Sequence, residues 1–257
     1  MTRIITVANQ KGGVGKTTVT ANLGAALTER GWRVLLVDLD PQGSLTLSLG
    51  LQPDDQEVTA YDVLTAAANG RPVPIERAFV TAGDLTLVPS NIGLSAADVE
   101  LAGPLGAFAL KDALETMPTG FDYVLVDCPP NLGVLTLSAL LAATEVLIPL
   151  QADYLATRGL VLLTDQIRKV QRKVNPKLKL LGVVLTMADR RTRHTRDVEA
   201  SIRTLGESGR LPVFKTVIPF TVKLKDAAAS GQSILATDGK SQAAEAFRAL
   251  AEEIDLS

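Results

Sequence analysis

The sequence predicts one doubly wound α/β domain, with a mostly parallel sheet flanked by helices and spanning residues 1–257. Strand-like apolar runs alternate with segments of helical spacing along the whole chain. Two of these runs, 33–38 and 123–126, are apolar up to a closing carboxylate, which is typical of parallel strands covered by helices on both faces. The sequence contains no internal repeat, low-complexity segment or obvious linker, so we expect a single domain.

Each element has its own local signal. The first helix ends before Gly31, and Thr59 is a candidate N-cap for the helix that follows it. The predicted strands cover residues 4–8, 33–38, 85–88, 123–126, 145–150, 179–186 and 214–218. The predicted helices cover residues 19–30, 45–49, 59–68, 133–143, 157–173, 193–208, 223–230 and 241–254, with an interrupted helical stretch at 94–117.

Composition limits the class of protein. Hydrophobic residues make up 46% of the chain and aromatic residues 4%, so the core is expected to consist of Val, Leu, Ile and Ala. A single cysteine, Cys128, excludes a disulfide within the chain and any multi-cysteine metal site. We find no targeting segment, and the apolar runs are too short to span a bilayer, so a cytoplasmic protein is expected.

A glycine-rich loop with two lysines follows the first predicted strand. It reads Gln10-Lys-Gly-Gly-Val-Gly-Lys-Thr-Thr18 and leads directly into a predicted helix, the context in which such a loop binds phosphate. Lys16 is expected to reach the terminal phosphates, and the Thr17 hydroxyl to ligate Mg²⁺. The residues expected to surround the phosphates are Lys11, Gly12, Gly13, Val14, Gly15, Lys16, Thr17 and Thr18.

The loop departs from the ordinary P-loop pattern at its start. Gln10 occupies a position where glycine is usual, and Lys11 adds a second lysine. A lysine at the start of the loop cannot easily turn back onto the phosphates that its own loop encloses. Lys11 is therefore better placed to reach a nucleotide held by another subunit.

Three aspartates follow predicted strands. Asp127 ends one apolar run, at the position of a Walker-B carboxylate that holds Mg²⁺ directly or through water. Without that role, a buried aspartate would need another partner to offset its desolvation. Asp38 and Asp40 are two residues apart, so both could face the phosphates from an extended chain.

These motifs together resemble those of the deviant Walker-A ATPases, the ParA/Soj and MinD family. KGGVGKTT, VDLDPQG at 37–43 and VDCPP at 126–130 carry the resemblance, which runs from Arg3 to about Glu253 and is strongest to the Soj-like ParA proteins. It implies a Mg²⁺-dependent ATPase that forms an ATP-sandwich homodimer, with catalytic roles for Lys11, Lys16 and Asp40. Lys11 would reach the partner's nucleotide and Asp40 would position the attacking water. The implied metal site comprises Thr17, Asp38 and Asp127, although a structural role for Asp38 stays open.

The sequence signal for the residues that bind the nucleotide base is weaker than that for the phosphates. Met187 and Pro219 end two predicted strands, at positions similar to those that flank adenine in this family. A core role for Met187 is an alternative. Because no guanine-specific Asn-Lys-x-Asp sequence is present, we expect ATP as the nucleotide.

Charge is distributed unevenly along the chain. Residues 1–160 carry 9 Lys and Arg against 17 Asp and Glu, and residues 161–257 carry 17 against 11, giving net charges of −8 and +6. Ten of the Lys and Arg lie in 165–196, which suggests an anionic partner. For the basic residues in 168–179, a solvated helix face and a DNA contact are the two alternatives. Arginines clustered in the loop before the helix at 193–208 would contact phosphates without reading bases, and the resemblance implies such contacts for Arg191 and Lys223. The residues expected to contact DNA are therefore Arg190, Arg191, Arg193 and Lys223.

The function implied by the resemblance is ATP-dependent partitioning of chromosomal or plasmid DNA. An ATP-bound dimer would bind double-stranded DNA non-specifically on the nucleoid, and a ParB-like partner would stimulate hydrolysis. Phe220, Lys223 and Ala228 differ from the family pattern, which leaves closure of the base pocket open. The alternatives are a MinD-like membrane-associated regulator and a metabolic P-loop enzyme. The acidic segment 243–257 argues against membrane binding.

Overall fold

The computed structural model describes residues 2–103, 105–118, 120–151, 156–189, 192–207, 209 and 211–257. Eight strands form one sheet within this part of the chain. They are Arg3–Val7 (β1), Val34–Asp38 (β2), Val80–Ala82 (β3), Leu85–Val88 (β4), Tyr123–Asp127 (β5), Glu145–Gln151 (β6), Lys179–Ala188 (β7) and Val213–Pro219 (β8).

The order of the strands confirms the predicted doubly wound, mostly parallel sheet. It runs β3-β4-β2-β5-β1-β6-β7-β8, and β3 with β4 is the one antiparallel pair in it. Asp127 at the end of β5 lies opposite Val7 of β1 on one side and opposite Asp38 of β2 on the other. This register brings the glycine-rich loop and two aspartates to the same edge of the sheet, where ligands of open α/β sheets bind.

Helices cover both faces of the sheet. They are Lys16–Glu29 (α1), Ser44–Ser48 (α2), Ala60–Ala68 (α3), Ala97–Glu100 (α4), Ala109–Glu115 (α5), Val134–Ala142 (α6), Ala156–Lys173 (α7), Arg193–Glu207 (α8), Lys223–Ala229 (α9), Ile234–Thr237 (α10) and Gln242–Asp255 (α11). Leu35 and Val37 of β2 pack into the core under α3 and α5, whereas Leu36 packs into the core under α1 and α11. Neighbouring residues of one strand therefore need apolar side chains, which explains the unbroken apolar runs.

Two short elements were not predicted from the sequence. β3 has three residues, fewer than a periodic pattern needs to be recognised, and it is held by antiparallel pairing with β4. α10 has four residues and begins at Ser233, whose side chain accepts a hydrogen bond from the Ala236 amide. The predicted interruption of 94–117 is confirmed, since this stretch forms the separate helices α4 and α5.

β8 lies at one end of the sheet and departs from regular pairing with β7. Its register shifts between Val213 and Val217 and again between Val217 and Pro219. The Glu253 carboxylate of α11 accepts hydrogen bonds from the amides of Lys215 and Thr216, each at 2.8 Å. The Arg203 guanidinium of α8 donates to the carbonyls of Phe214 and Lys215. Side chains thus occupy the backbone groups that the shifted strand leaves unpaired.

The loop after α2 contacts the loop after α9 through two glycines. Gly231 has a φ of +71°, and a Cβ built on it would lie 2.5 Å from the Cα of Gly50. Backbone packs directly on backbone here, so Gly231 has no room for a side chain.

We therefore expect Gly231→Ala to destabilise the protein strongly. The substitution adds a steric clash with Gly50 to a left-handed backbone conformation, and we expect a loss of about 2–5 kcal/mol in the free energy of unfolding. The matched control is Gly70→Ala, because Gly70 has a φ of +69° but nothing within 4 Å of its Cβ position. The control should lose only about 1–2 kcal/mol. Urea denaturation measures both, and equal losses would show that the contact with Gly50 contributes nothing.

Candidate functional site: a phosphate loop with buried carboxylates

The glycine-rich loop lies between β1 and α1. Gly13 and Gly15 have φ values of +74° and +85°, and Gly15 is the N-cap of α1. The Thr186 hydroxyl at the end of β7 donates a 2.8 Å hydrogen bond to the Val14 carbonyl and so ties the loop to the sheet. Left-handed glycines before a helix N-terminus form a concave arrangement of amides that suits an anion.

Asn9 supports the entrance of the loop and was not singled out from the sequence. Its side-chain amide donates to the Pro149 carbonyl at 2.7 Å, and its oxygen accepts from the Lys11 amide at 3.0 Å. It joins the start of the loop to β6. An asparagine directly after a strand carries no distinctive sequence signal, because its two partners are known only from the fold.

Lys16 and Asp127 lie together in a buried part of the site. Lys16 is 7% exposed, and burial lowers the pKa of its ammonium although the nearby Asp127 carboxylate opposes that shift. Burial, followed by the charge of Asp38, raises the pKa of Asp127 to about 8. The Thr17 hydroxyl donates to Asp127 Oδ2 at 2.6 Å.

Asp38 is also buried, but its oxygens are engaged by its own loop. Oδ2 accepts from the amide and the hydroxyl of Thr46 at 2.9 and 2.8 Å, and Oδ1 accepts from the Asp40 amide at 3.1 Å. Burial raises the pKa of Asp38 to about 6. Asp38 therefore anchors the start of α2, and this geometry favours the structural alternative for it over the metal-shell one.

The residues at this edge fit a magnesium ion. The described residues contain no group of three or more His, Cys, Asp and Glu side chains that could hold a metal by themselves. They do place the Thr17 hydroxyl and two buried carboxylates beside the phosphate loop. Mg²⁺ is commonly held by one or two carboxylates together with waters and the substrate phosphates, so a hydroxyl and buried carboxylates beside the phosphate loop fit this metal.

Asp40 and Lys11 lie at the rim of the site. Asp40 Oδ1 accepts from the Gln42 amide at 3.0 Å, and the Ser90 hydroxyl donates to the Asp40 carbonyl at 2.6 Å. Lys11 Nζ lies 3.4 Å from Gln151 Oε1 at the end of β6. The two loop lysines therefore point to different places, one into the buried cluster and the other towards the end of a neighbouring strand.

An apolar pocket adjoins the loop beside Gly15 and Thr18. Met187 and Pro219, the predicted base-flanking residues, both line it, together with Phe220. Met187 has a φ of +52° and is the one non-glycine residue with a positive φ in the described part of the chain. The pocket is suited to an apolar ring, and Phe220, a departure from the family pattern, forms part of its wall.

Of the predicted DNA-contacting residues, the structure describes Arg193 and Lys223, and neither belongs to the phosphate loop. Arg190 and Arg191 lie outside the residues that the structure describes. Arg193 begins α8 and Lys223 begins α9, each shortly after neighbouring strands that are paired at Ala188 and Pro219. Both therefore lie near the carboxyl edge of the sheet. Lys223 Nζ is 2.5 Å from an Asp238 carboxylate oxygen, so an anionic ligand would have to compete with that ion pair.

No helix in the described ranges combines the length and the apolarity that crossing a bilayer requires.

Comparison with known proteins gives consistent matches over nearly the whole chain. A family profile described as "AAA domain" matches residues 2–180. The sporulation initiation inhibitor protein Soj of Bacillus subtilis is 43% identical over 255 residues, which cover 99% of this chain and 98% of that protein. The chromosome partitioning protein ParA of Myxococcus xanthus is 41% identical over 258 residues, which cover 98% of this chain and 87% of that protein.

A solved structure agrees with the fold. It is named cobyrinic acid a,c-diamide synthase from Mycobacterium smegmatis and contains ADP and magnesium. It is 45% identical, covers 98% of this chain and 93% of its own, and superimposes with a TM-score of 0.84. A relative of the same architecture thus binds an adenine nucleotide and the metal that the loop and carboxylates fit.

The raised pKa of Asp127 predicts how stability depends on pH without nucleotide. Because the folded-state pKa is raised from 3.8 to about 8, the folded protein retains a proton that the unfolded chain releases above about pH 4. Its contribution to the free energy of unfolding is present below about pH 4 and is lost as pH rises towards 8. Asp38, with a pKa of about 6, contributes only to the lower part of this window.

We therefore expect Asp127→Asn to flatten the fall in stability between about pH 6 and 8, because asparagine stays neutral throughout. Urea denaturation across this range measures the effect. Asp54→Asn, in the exposed loop before α3, is the control and should leave the slope unchanged. An Asp127→Asn protein that keeps the wild-type slope would contradict the raised pKa.

Proposed function

Because this chain belongs to the ParA/Soj family of P-loop ATPases, we propose that it is a DNA-partitioning ATPase that uses ATP and Mg²⁺. The observation that carries the proposal is the separate placement of the two loop lysines. Lys16 is buried beside Asp127, whereas Lys11 Nζ lies beside Gln151 at the end of β6. One lysine suits the nucleotide of its own subunit, and the other suits a nucleotide brought by a second subunit.

Within one subunit, the chain positions and neutralises the triphosphate. Amides of residues 12–17 bind the phosphates, and Lys16 adds a positive charge in a buried setting where it acts strongly. Mg²⁺ held by Thr17 and Asp127 would neutralise further phosphate charge when it is bound. Asp40 lies on the loop anchored by Asp38, from which it would orient the attacking water. Met187, Pro219 and Phe220 would enclose the adenine.

Hydrolysis would require a dimer. Two phosphate loops facing each other would place Lys11 of each subunit on the nucleotide of the other. Charge supplied in trans accelerates phosphoryl transfer by large factors in other P-loop proteins. ATP binding would thus be coupled to association, and hydrolysis would release the subunits.

The dimer would bind DNA through the basic residues that follow β7 and β8. Arg190, Arg191, Arg193 and Lys223 would contact phosphates without reading bases, so the protein would bind the nucleoid without sequence preference. A ParB-like partner would stimulate ATP hydrolysis and, with it, the release of the subunits from each other. The names of the Soj and ParA relatives support this role.

A MinD-like membrane role is less well supported. Such a role uses an amphipathic helix with its apolar face free to enter lipid. In α11 the apolar side chains Phe247, Leu250 and Ile254 are all 0% exposed, because they pack into the core under α1. The apolar face of this helix is already occupied.

The name of the M. smegmatis structure raises a second candidate, an amide-forming synthase. Such an enzyme needs a source of nitrogen, and release of ammonia from glutamine commonly uses a reactive thiolate. Cys128 is the sole cysteine of the sequence and is 1% exposed, and burial raises the pKa of its thiol far above the usual range. We therefore favour partitioning over that chemistry for this chain.

Lys11→Ala tests the trans role of the first lysine. We expect the variant to bind ATP with near wild-type affinity, because Lys11 lies outside the buried cluster. It should stay monomeric and lose at least about 100-fold in ATP turnover. Calorimetry, light scattering with a non-hydrolysable ATP analogue and phosphate release measure the three properties. Lys16→Ala is the comparison and should lose ATP binding itself. Normal dimerisation and turnover in Lys11→Ala would refute the trans role.

DNA binding with and without the ATP analogue, over a salt series, tests the partitioning role. We expect the analogue to increase affinity for duplexes of unrelated sequence to a similar degree. Arg191→Ala with Lys223→Ala should reduce the increase and make the salt dependence shallower by about 2 in logarithmic slope. Arg71→Ala with Arg77→Ala, exposed residues before β3, is the matched control. Absence of any nucleotide-dependent DNA binding at low salt would count against partitioning.

A further inference from the structure

A second group of cations lies on the later turns of α7 and the segment leading into β7. We call it the α7 basic face, and all of its members are exposed. They are Arg168, Lys169, Arg172, Lys173, Lys177 and Lys179. None of them has a role in the phosphate loop, the metal site or the apolar pocket.

The charge of this face is largely uncompensated. Arg168 lies 3.3 Å from Asp165, and this is the one ion pair that the six residues make within the described part of the chain. Arg172 and Lys173 are in the last turn of α7, where cations also stabilise the helix dipole. That effect fades within one turn, so it does not account for Lys169, or for Lys177 and Lys179 beyond the helix.

The α7 basic face is remote from Arg193 and Lys223, the described residues that the proposed function assigns to DNA. Lys179 opens β7 and is paired with Glu145, the first residue of β6, so it lies at the amino edge of the sheet. Arg193 follows the other end of β7. The ten residues of β7 separate the two edges by about 30 Å. The face is thus also distant from the loops that would meet in a dimer, and a single subunit without nucleotide exposes it.

The arrangement of the cations suits a duplex backbone. Arg168 and Arg172 are four residues apart, as are Lys169 and Lys173, so they form two adjacent rows with about 6 Å between successive residues. Cations in such rows can contact successive phosphates, and phosphate contacts carry no sequence information. Double-stranded DNA carries a negative charge about every 1.7 Å along its axis, so it can meet several of these cations at once.

A lipid surface fits this face less well. The apolar side chains Leu163, Ile167 and Val170 of α7 are buried in the core. The exposed apolar residues are Val161 and Leu162 near one end of the helix and Val174 after its other end, about 18 Å away. Among the described side chains of α7, no continuous apolar stripe accompanies the cations, and membrane-surface helices need one.

We propose that the α7 basic face is a second DNA-binding surface that acts without nucleotide. It deepens the proposed function by adding a contact that does not depend on dimerisation. The subunit released after hydrolysis retains a weak, sequence-independent hold on DNA through this face. The ATP-bound dimer adds the contacts at the opposite edge of the sheet, so one molecule contacts two DNA segments.

The test compares DNA binding by nucleotide-free protein and two charge-matched variants. The first variant combines Lys169→Ala, Arg172→Ala and Lys173→Ala, substitutions that preserve helix propensity. The control combines Arg71→Ala, Arg77→Ala and Lys111→Ala, which removes the same charge from the other half of the sheet. Fluorescence anisotropy with a labelled duplex, at several salt concentrations, reports affinity and salt slope. The same proteins are then measured with a non-hydrolysable ATP analogue.

We expect nucleotide-free wild-type protein to bind DNA weakly at low salt. The α7 variant should lose at least about tenfold in affinity, with a salt slope shallower by about 2–3 for three lost phosphate contacts, whereas the control should lose far less. The ratio of affinities with and without the ATP analogue should not fall in the α7 variant. A charge-preserving variant, Lys169→Arg with Arg172→Lys and Lys173→Arg, should bind like wild type and so exclude misfolding as the cause.

Equal losses in the α7 variant and the control, or no binding by nucleotide-free wild-type protein, would overturn the inference while leaving ATP-dependent partitioning intact. The same proteins are also tested for binding to anionic phospholipid vesicles. If the α7 variant lost vesicle binding but bound DNA like wild type, the inference would be overturned in favour of lipid. Conversely, DNA binding without nucleotide could depend on the α7 basic face and yet not increase with the ATP analogue. That result would support this inference and count against the proposed function.

Discussion

Asp38 and Asp127 lie opposite each other on neighbouring parallel strands, both buried, with the ammonium of Lys16 close to Asp127. Two buried carboxylates on neighbouring strands repel each other, and the protein offsets the free-energy cost of burying each of them in a different way. Hydroxyl and amide donors satisfy Asp38, while Thr17 and Lys16 face Asp127. The loop after β2 is folded around the first carboxylate and the phosphate loop is packed against the second. The proposed Mg²⁺ and phosphates would bind where this buried pair of carboxylates meets Lys16 and the phosphate loop.

The sheet order explains why these groups meet. β5 comes late in the chain but inserts between β1 and β2, so the crevice opens where neighbouring connections leave in different directions. The same order separates the two basic regions. Connections that follow β7 and β8 lie at the nucleotide edge, whereas the segment that enters β7 lies at the opposite edge. Charge that is contiguous in the sequence is thereby divided between two ends of the molecule.

Much of this organisation could be predicted from the sequence, because its signals are local. Val34–Asp38 and Tyr123–Asp127 are recognisable as buried strands from their side chains alone, and the phosphate loop from its spacing. Several supporting contacts could not be predicted, because they join residues in different elements of the fold. Thr186 with Val14 and Lys223 with Asp238 depend on the packing of elements that no periodic pattern connects.

The occupied edge of β8 bears on how the protein can associate. A bare terminal strand is a template for pairing with the same strand of another molecule, and a protein gathered densely on DNA would be exposed to that hazard. Glu253 and Arg203 take up the backbone groups that such pairing would use. The segment 214–216 of β8 is thus not available to extend the sheet from one copy to the next. A dimer of the proposed kind would therefore have to form through other surfaces, and association that nucleotide reverses would not pass into fibre growth along this strand.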